Sequence, residues 1–421
     1  MYFLSSGIRL IQTWKSKKEN KFFLVGKNID DKIVLNRNGA SLLLKFHKNN
    51  LNNEFTKNEK LLTEYSQFFD FLKKENVLVN TNCLQENIFL IKKSPKLPLS
   101  SLNIEITDGC NLQCIHCYND FGHRKINFIN KDALYSLLDD LNYLNTFSIA
   151  ITGGEATIHP DFIEICKFFV DKGFRLTLFT NGFHSDKIIE LLKLYPKTNF
   201  TIKVSLDGFK DQHNLIRNNN YSYSNCINFL NKLKKYKNIE VYISSTIMRE
   251  NIEFAAKFKD FIKNEFPDFI YGVDLITPCK TNQAHSFRKD EFNEIYEQMP
   301  SLLNFRNSKS DKFRCSGGRS QATLMVDGGL KICNGAVDEI FKFQYNAFDK
   351  GLIRAWDECG KNIAAFRKEK NKSMKTCKKC ELKRECKITN CRIISYAYNG
   401  DCNTPNPIIC FYMKNVNKLW R

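Results

Sequence analysis

Cys110, Cys114 and Cys117 stand at C-x3-C-x2-C spacing directly after the apolar run Leu102 to Ile106. Three thiolates this close are soft metal ligands, yet an iron-sulfur cluster of four irons needs four. One iron would be left open, and an open iron inside a protein is a place for a small molecule to chelate. A zinc knuckle, whose ligand pairs are usually C-x2-C, and three buried structural thiols are the competing readings of the same residues. Downstream, Thr152-Gly153-Gly154-Glu155 ends a second apolar run, Asn181 and Gly182 follow a third, and Ser205-Leu206-Asp207-Gly208 follows a fourth. Glycines let a backbone approach a ligand closely or adopt positive φ. Asn-Gly and Asp-Gly are also ordinary turn signals. A second cysteine field, Cys315, Cys333, Cys377, Cys380, Cys386, Cys391 and Cys410, fills the C-terminal region. That density asks for metal, with a zinc ribbon built on C-x2-C-x5-C-x4-C as the alternative to iron.

Taken together, these motifs resemble the radical S-adenosylmethionine (SAM) superfamily. The resemblance implies that Cys110, Cys114 and Cys117 hold a 4Fe-4S cluster whose open iron binds the amino and carboxylate groups of SAM. One-electron reduction then splits the sulfonium into methionine and a 5'-deoxyadenosyl radical that abstracts hydrogen from substrate. The Gly153-Gly154-Glu155 segment resembles the family's GGE motif beside SAM's amino group, and Asn181 and Ser205 fall where side chains bind its ribose or carboxylate. Arg217 takes the place of an arginine suited to the methionine carboxylate. It is followed by Asn218 rather than the usual glycine. His116 is the aromatic position beside adenine.

The C-terminal field resembles a SPASM domain. That resemblance implies two auxiliary 4Fe-4S clusters, giving three in all: one on Cys377, Cys380, Cys386 and Cys410, the other on Cys315, Cys333 and Cys391. The second set lacks a clear fourth ligand, with Cys402, Cys359 and Cys279 as candidates beside an iron left open to a substrate thiolate. The Cys386 to Cys391 gap is one residue longer than the family's. Cys83, Cys166 and Cys226 read as plain buried thiols.

Such residues need a scaffold that brings loops to one end. From Leu102 onward, β-type runs alternate with amphipathic stretches, which argues for parallel strands joined by right-handed crossovers. Strands are expected at 102–106, 148–151, 175–179, 201–205, 240–246 and 270–275, with helices near 131–144, 160–172, 186–194, 223–236 and 252–264. The expected fold is α/β: a partial (β/α)6 TIM-like barrel over 96–300, with its reactive centre at the strand C-termini. A winged-helix-like domain and linker precede it over 1–95, and a Cys-rich SPASM domain follows over 301–421. In the first unit, strands are expected at Phe22 to Val25, Lys32 to Leu35 and Val77 to Val79, with helices from Ser41 and about Asn58. Its VLNRNGASLLLKF segment resembles the PqqD-like domains of peptide-maturing enzymes, which imply a precursor's leader peptide as partner, held by strand addition at a sheet edge.

Composition narrows the field further. The 421 residues, 43% hydrophobic, suffice for two or three domains. Arg9, Lys15, Lys17 and Lys18 interrupt any N-terminal signal-like apolar run, and no stretch is long enough to cross a bilayer, so a cytoplasmic chain without membrane contact is expected. In a reducing compartment, clustered cysteines favour metal over disulfides. The net charge of +19 is spread over helical stretches instead of massed in one block, which disfavours nucleic acid and fits a solvated surface with a mild preference for an acidic peptide.

The resulting expectation is a maturase of ribosomally made peptides, drawing electrons from a reductant such as flavodoxin or ferredoxin and forming a sulfur-to-carbon thioether crosslink. Carbon-carbon crosslinking or epimerisation uses the same parts. An RNA-modifying radical enzyme and a zinc-stabilised binding module are the rivals of other classes.

Overall fold

The computed structural model describes residues 97–279 apart from 124, together with 2–4, 8–16, 19–25, 33–48, 63, 65–75, 77–80, 88–91, 281–288, 291–293, 297, 316–336, 342–361, 377, 379–381, 391–402, 404–408 and 410–411. At the N-terminus, β1 (Tyr2–Leu4) pairs antiparallel with β5 (Leu78–Asn80). A separate sheet runs in the order β4-β3-β2-β6, built from β2 (Ile8–Ser16), β3 (Glu19–Val25), β4 (Ile33–Leu35) and β6 (Ile88–Ile91). Helices Arg37–Lys48 and Ser66–Lys74 accompany these sheets. Leu10, Leu24, Leu35, Leu43, Phe69 and Leu72 close a small core of their own.

A nine-stranded sheet organises the rest, in the order β12-β11-β10-β9-β8-β7-β13-β14-β15. Its first six members are β7 (Ser101–Thr107), β8 (Ser148–Gly153), β9 (Arg175–Thr180), β10 (Phe200–Ser205), β11 (Ile239–Ile247) and β12 (Ile270–Leu275), each parallel to the next. All six lie within a residue or two of the runs expected from apolar patterning. The side chains alternate as a period of two requires. On β9 and β10, Leu176, Leu178, Phe200, Ile202 and Val204 are buried against the helices, while the residues between them are half-buried on the other face.

The helix expected over 131–144 is broken into Lys131–Tyr135 and Leu138–Tyr143. Asn130 caps its start by accepting from the Ala133 amide. Ser136 Oγ donates back to the Ala133 carbonyl at 2.8 Å, a local bond that competes with the helical ladder where the break falls. Helix Lys210–Arg217 was not expected; Asn218 ends it in the left-handed conformation, φ 51°, filling the role a glycine would otherwise take.

The sheet continues past these six parallel strands. Strand β13 (Gln321–Leu324) lies parallel to β7, and β14 (Gly329–Lys331) and β15 (Lys342–Asn346) follow antiparallel. Gly328, at φ 83°, makes the β13–β14 turn, where a Cβ would stand 2.3 Å from the Phe348 ring. Polar groups cross the β7 junction: Asn103 Nδ2 donates to Thr323 Oγ1 at 3.3 Å, and Lys331 Nζ meets Glu105 Oε1 at 3.0 Å with both side chains buried. The Trp356 indole donates to the Leu97 carbonyl at 2.8 Å and fastens the residues ahead of β7. No helix among the described residues is long and apolar enough to cross a membrane.

Replacing Lys331 with Met leaves the Glu105 carboxylate buried without its cation, so the variant should lose about 3–5 kcal/mol. Combining Lys331→Met with Glu105→Leu should restore most of that, because the uncompensated charge is gone. Urea-unfolding midpoints of the three proteins measure both outcomes.

Candidate functional site

One cavity of about 570 Å³ opens at the C-terminal ends of the parallel strands. Cys110, Cys114, His116 and Cys117 line it from the loop after β7, Gly153, Gly154 and Glu155 from the loop after β8, and Asn181, Ser205 and Arg217 from the next two units. Every cofactor-binding position expected from sequence therefore borders the same space. So does Cys391 from the C-terminal field, with Ile394 and Asn406.

The glycines are demanded by the meeting of two loops. Gly153 has φ 135°, and a Cβ on it would lie 2.1 Å from the Thr107 carbonyl oxygen; one on Gly154 would lie 2.0 Å from that of Gly109. The Gly154 amide donates to Thr107 and the Glu155 amide to Gly109, at 3.0 and 2.9 Å. These close approaches are made to the cysteine loop's own backbone, so the amides of Gly154 and Glu155 are already engaged there. Glu155 is a buried brace. Its Oε1 accepts from the Thr157 amide and hydroxyl and from the Thr180 hydroxyl, and its Oε2 accepts from the Asn181 amide at 2.7 Å. Burial raises its carboxyl above the usual range, against these same hydrogen bonds. The Asn181 side chain returns to the cysteine loop, donating to Asn111 Oδ1 at 2.9 Å.

Arg217 is buried with its Nε 2.7 Å from Asp207 Oδ2 and its Nη1 3.7 Å from the Cys114 sulfur. The other Asp207 oxygen accepts from the Thr246 amide at 2.9 Å. Burial would raise the Asp207 carboxyl, but the Arg217 charge, with smaller contributions from His116 and His213, outweighs it and holds the group below the ordinary carboxylate range. His213 lies near Asp207 without being its counter-ion: its Nδ1 accepts from the Asp207 amide, and burial pushes the imidazole down to about 3, so it is neutral.

The cysteines sit where thiolates need compensation. Burial pushes Cys110 up to about 12, and it raises Cys114 despite the opposing charge of Arg217. A cationic metal centre supplies what solvent does not. Among the described residues, no three His, Cys, Asp or Glu side chains are placed to share a single metal ion. The three thiols instead border a cavity, which fits a group larger than one ion. His116 is pushed down to about 4 by burial and by Arg217, and its buried Nδ1 has no hydrogen-bond partner among the described residues. An orphaned polar atom on this wall fits a missing polar ligand. The loop's far side is closed by Asn282, whose Nδ2 donates to the His116 carbonyl at 3.0 Å, and by Cys279, 4.0 Å from the Cys117 carbonyl.

In the second field, Cys315 and Cys386 lie outside the described residues, as does Cys83. Cys333, Cys377, Cys380, Cys402 and Cys410 are half-buried, and no disulfide joins any described cysteine. Cys359, Cys166 and Cys226 are buried in the main core, as ordinary thiols are. Sequence reasoning singled out neither Asp207 as Arg217's partner nor Asp274, Phe179 and Thr246 as cavity-lining residues. For Asp207 a signal existed, an aspartate ahead of a helix that ends in arginine. For the others, membership of a strand end was all the sequence offered.

Residues 104–262 match the profile of the Radical SAM superfamily, so this stretch is a radical SAM domain. Among curated proteins, the chain is 25% identical over 285 residues to the antilisterial bacteriocin subtilosin biosynthesis protein AlbA of Bacillus subtilis, covering 64% of this chain and 62% of that protein. It is 24% identical over 240 residues to the mycofactocin maturase MftC of Mycolicibacterium smegmatis, covering 55% and 59%. The chain thus spans about three fifths of the length of these relatives. Among solved structures, Streptococcus suis SuiB bound to precursor peptide SuiA aligns over 97% of this chain and 100% of that one, at TM-score 0.61 and 16% identity. The anSMEcpe structure with bound AdoMet aligns over 76% and 96%, at TM-score 0.61 and 19% identity. At these identities the structural likeness speaks to the fold.

An Asp207→Asn variant leaves Arg217 buried without a carboxylate and should be less stable at neutral pH by about 3–5 kcal/mol. A depressed carboxyl stabilises the fold fully above its unfolded range and loses that contribution as pH falls through its folded value. The gap in urea midpoint between parent and variant should therefore narrow as pH falls through and below the ordinary carboxylate range.

Proposed function

We propose that this chain is a radical SAM maturase that modifies a ribosomally synthesised precursor peptide. The observation that carries the reading is the convergence of three thiols from one loop, a backbone-to-backbone glycine contact and a buried Arg217 on a single cavity at the strand C-termini. Cys110, Cys114 and Cys117 would hold the 4Fe-4S cluster, and His116, Ser205 and Arg217 border the space for SAM. When bound, cluster and SAM supply hydrogen-atom abstraction from an unactivated carbon. The chain's own residues position and enclose. Glu155 and Asn181 fix the loops, Arg217 keeps a positive charge beside Cys114, and the cavity walls keep water from the reacting carbon.

The roles for which AlbA, MftC and the Bacillus subtilis sporulation killing factor maturation protein SkfB are named support a peptide substrate, as does the precursor peptide on SuiB. Residues 1–95 would be the winged-helix-like unit that receives the leader, at an outer strand of the β4-β3-β2-β6 sheet. Residues 301–421 would be the SPASM domain with two auxiliary clusters, one on Cys377, Cys380, Cys386 and Cys410 and one on Cys315, Cys333 and Cys391. Because Cys391 borders the cavity, a thiolate of the peptide would lie near that second set, which favours thioether formation.

Anaerobically reconstituted protein should contain iron and sulfide for more than one cluster and release 5'-deoxyadenosine with a reductant, while Cys114→Ala abolishes that release. Protein that binds only zinc and cleaves no SAM would overturn the proposal. Deleting residues 1–90 should cut peptide turnover at least tenfold and spare uncoupled SAM cleavage. Mass spectrometry of a cysteine-containing precursor should show a product lighter by two hydrogens whose thiol resists alkylation; a free thiol in that product would point to a carbon-carbon crosslink.

A further inference from the structure

Asp274 sits near the C-terminal end of β12, in register with Thr246 of β11, and both residues line the cavity. The other carboxylates of this region are committed. Glu155 accepts from Thr157, Thr180 and Asn181, Asp207 from Arg217, and Glu105 from Lys331. Among the described residues, none donates a hydrogen bond to the Asp274 carboxylate, and none pairs with it as a close ion pair.

Its nearest influence is Lys203 of β10, whose ammonium lies over the rings of Phe179, at 5.2 Å, and Tyr242, at 5.3 Å. Asp274 is exposed on β12, the end strand of the sheet, where that strand borders the cavity. Neighbouring protein still desolvates it enough to raise its carboxyl, and Lys203 opposes the rise. A bound substrate would displace the remaining water. An ionised carboxylate accepts hydrogen bonds and donates none, and leaving it without a donor in a dry site is costly. A substrate that covers Asp274 must therefore bring a donor. Lys203 already brings a positive charge to bear on this carboxylate, which favours a neutral donor over a second cation. A backbone N–H is the neutral donor that every peptide residue presents next to its own Cα.

We propose that Asp274 is a substrate-contact residue that accepts a backbone N–H of the precursor peptide at, or next to, the residue being modified. This rests on the peptide-maturase reading above. The contact fixes which residue faces the reacting end of the cavity, so Asp274 sets the register of modification along the peptide.

Synthetic peptides copied from the short reading frames flanking the gene serve as probes, with wild type, Asp274→Ala and Asp274→Asn compared as reconstituted full-length proteins. Asp268→Asn, on the exposed turn before β12, is the control and should match wild type. Asp274→Ala should raise the peptide KM about ten- to a hundredfold with a smaller change in kcat, and Asp274→Asn, which keeps an acceptor oxygen, should fall between. In a scan of singly N-methylated peptides, one position near the modified residue should impair wild type strongly and add nothing to the defect of Asp274→Ala. Asp274→Ala within about twofold of wild type would overturn the proposal. So would a wild-type scan in which no N-methyl position near the modified residue matters, an outcome that requires no variant to fold. If wild type modifies none of the peptides yet cleaves SAM, the peptide-maturase reading falls and this inference with it. If wild type modifies a peptide while the Asp274 variants behave as parent, the maturase reading stands and the inference alone fails.

Discussion

Gly153 and Gly154 meet Thr107 and Gly109 backbone to backbone, with no room for a side chain between them, and this contact sets where the three cysteines point. From it a closed path of hydrogen bonds runs through Glu155 to Thr180 and Asn181 at the end of β9, and from Asn181 back to Asn111 in the cysteine loop. The loop is long and half-exposed, and its own interior contacts are few. It holds its shape because two strand ends and a buried carboxylate clamp it. Neighbouring elements complete the clamp: the Ile115 amide donates to the Ile216 carbonyl, and Asn282 reaches the carbonyl of His116.

Charge is distributed by the same logic. Among the described residues, two buried ions meet their opposites, Arg217 with Asp207 and Lys331 with Glu105, while the buried Glu155 is met by neutral donors. A buried pair of this kind adds little net stability over a well-packed apolar pair, but losing either member is expensive. Their value is positional. One pair keeps a guanidinium against a cysteine sulfur, and the other joins the first barrel strand to the strand that leads into Cys333. Asp274, exposed where β12 borders the cavity, has no such partner among the described residues.

The parallel sheet was legible because its strands are short apolar runs at regular spacing, and the helix Asp186–Leu194 fell on its expected bounds. What escaped did so for identifiable reasons. Strands β1 and β6 are apolar runs of only three and four residues, and β2 mixes Arg9, Gln12, Lys15 and Ser16 among its apolar residues without a clean period of two. Helix Lys210–Arg217 is polar on most of its surface and buries only His213, Ile216 and Arg217. The positions bordering the cavity were legible as motifs, but their partners were not: nothing in a linear reading says that Gly154 faces Gly109 or that Arg217 faces Asp207 and Cys114, since each pairing joins different strand ends. The neutral state of His213 beside an aspartate emerges only from the direction of one hydrogen bond.

Strand β7 lies between β8, which follows it closely in the chain, and β13, more than 200 residues later. During synthesis, one flank of the strand that feeds the cysteine loop stays without its backbone partners until the C-terminal region has left the ribosome. Such distant pairing slows folding and leaves an open edge prone to association with other chains. A metal centre installed on the nascent loop would therefore form on an incomplete sheet, whereas one installed after release would find both flanks closed. On this topology, a cofactor loaded before β13 emerges would meet a cysteine loop whose feeding strand still has one open flank.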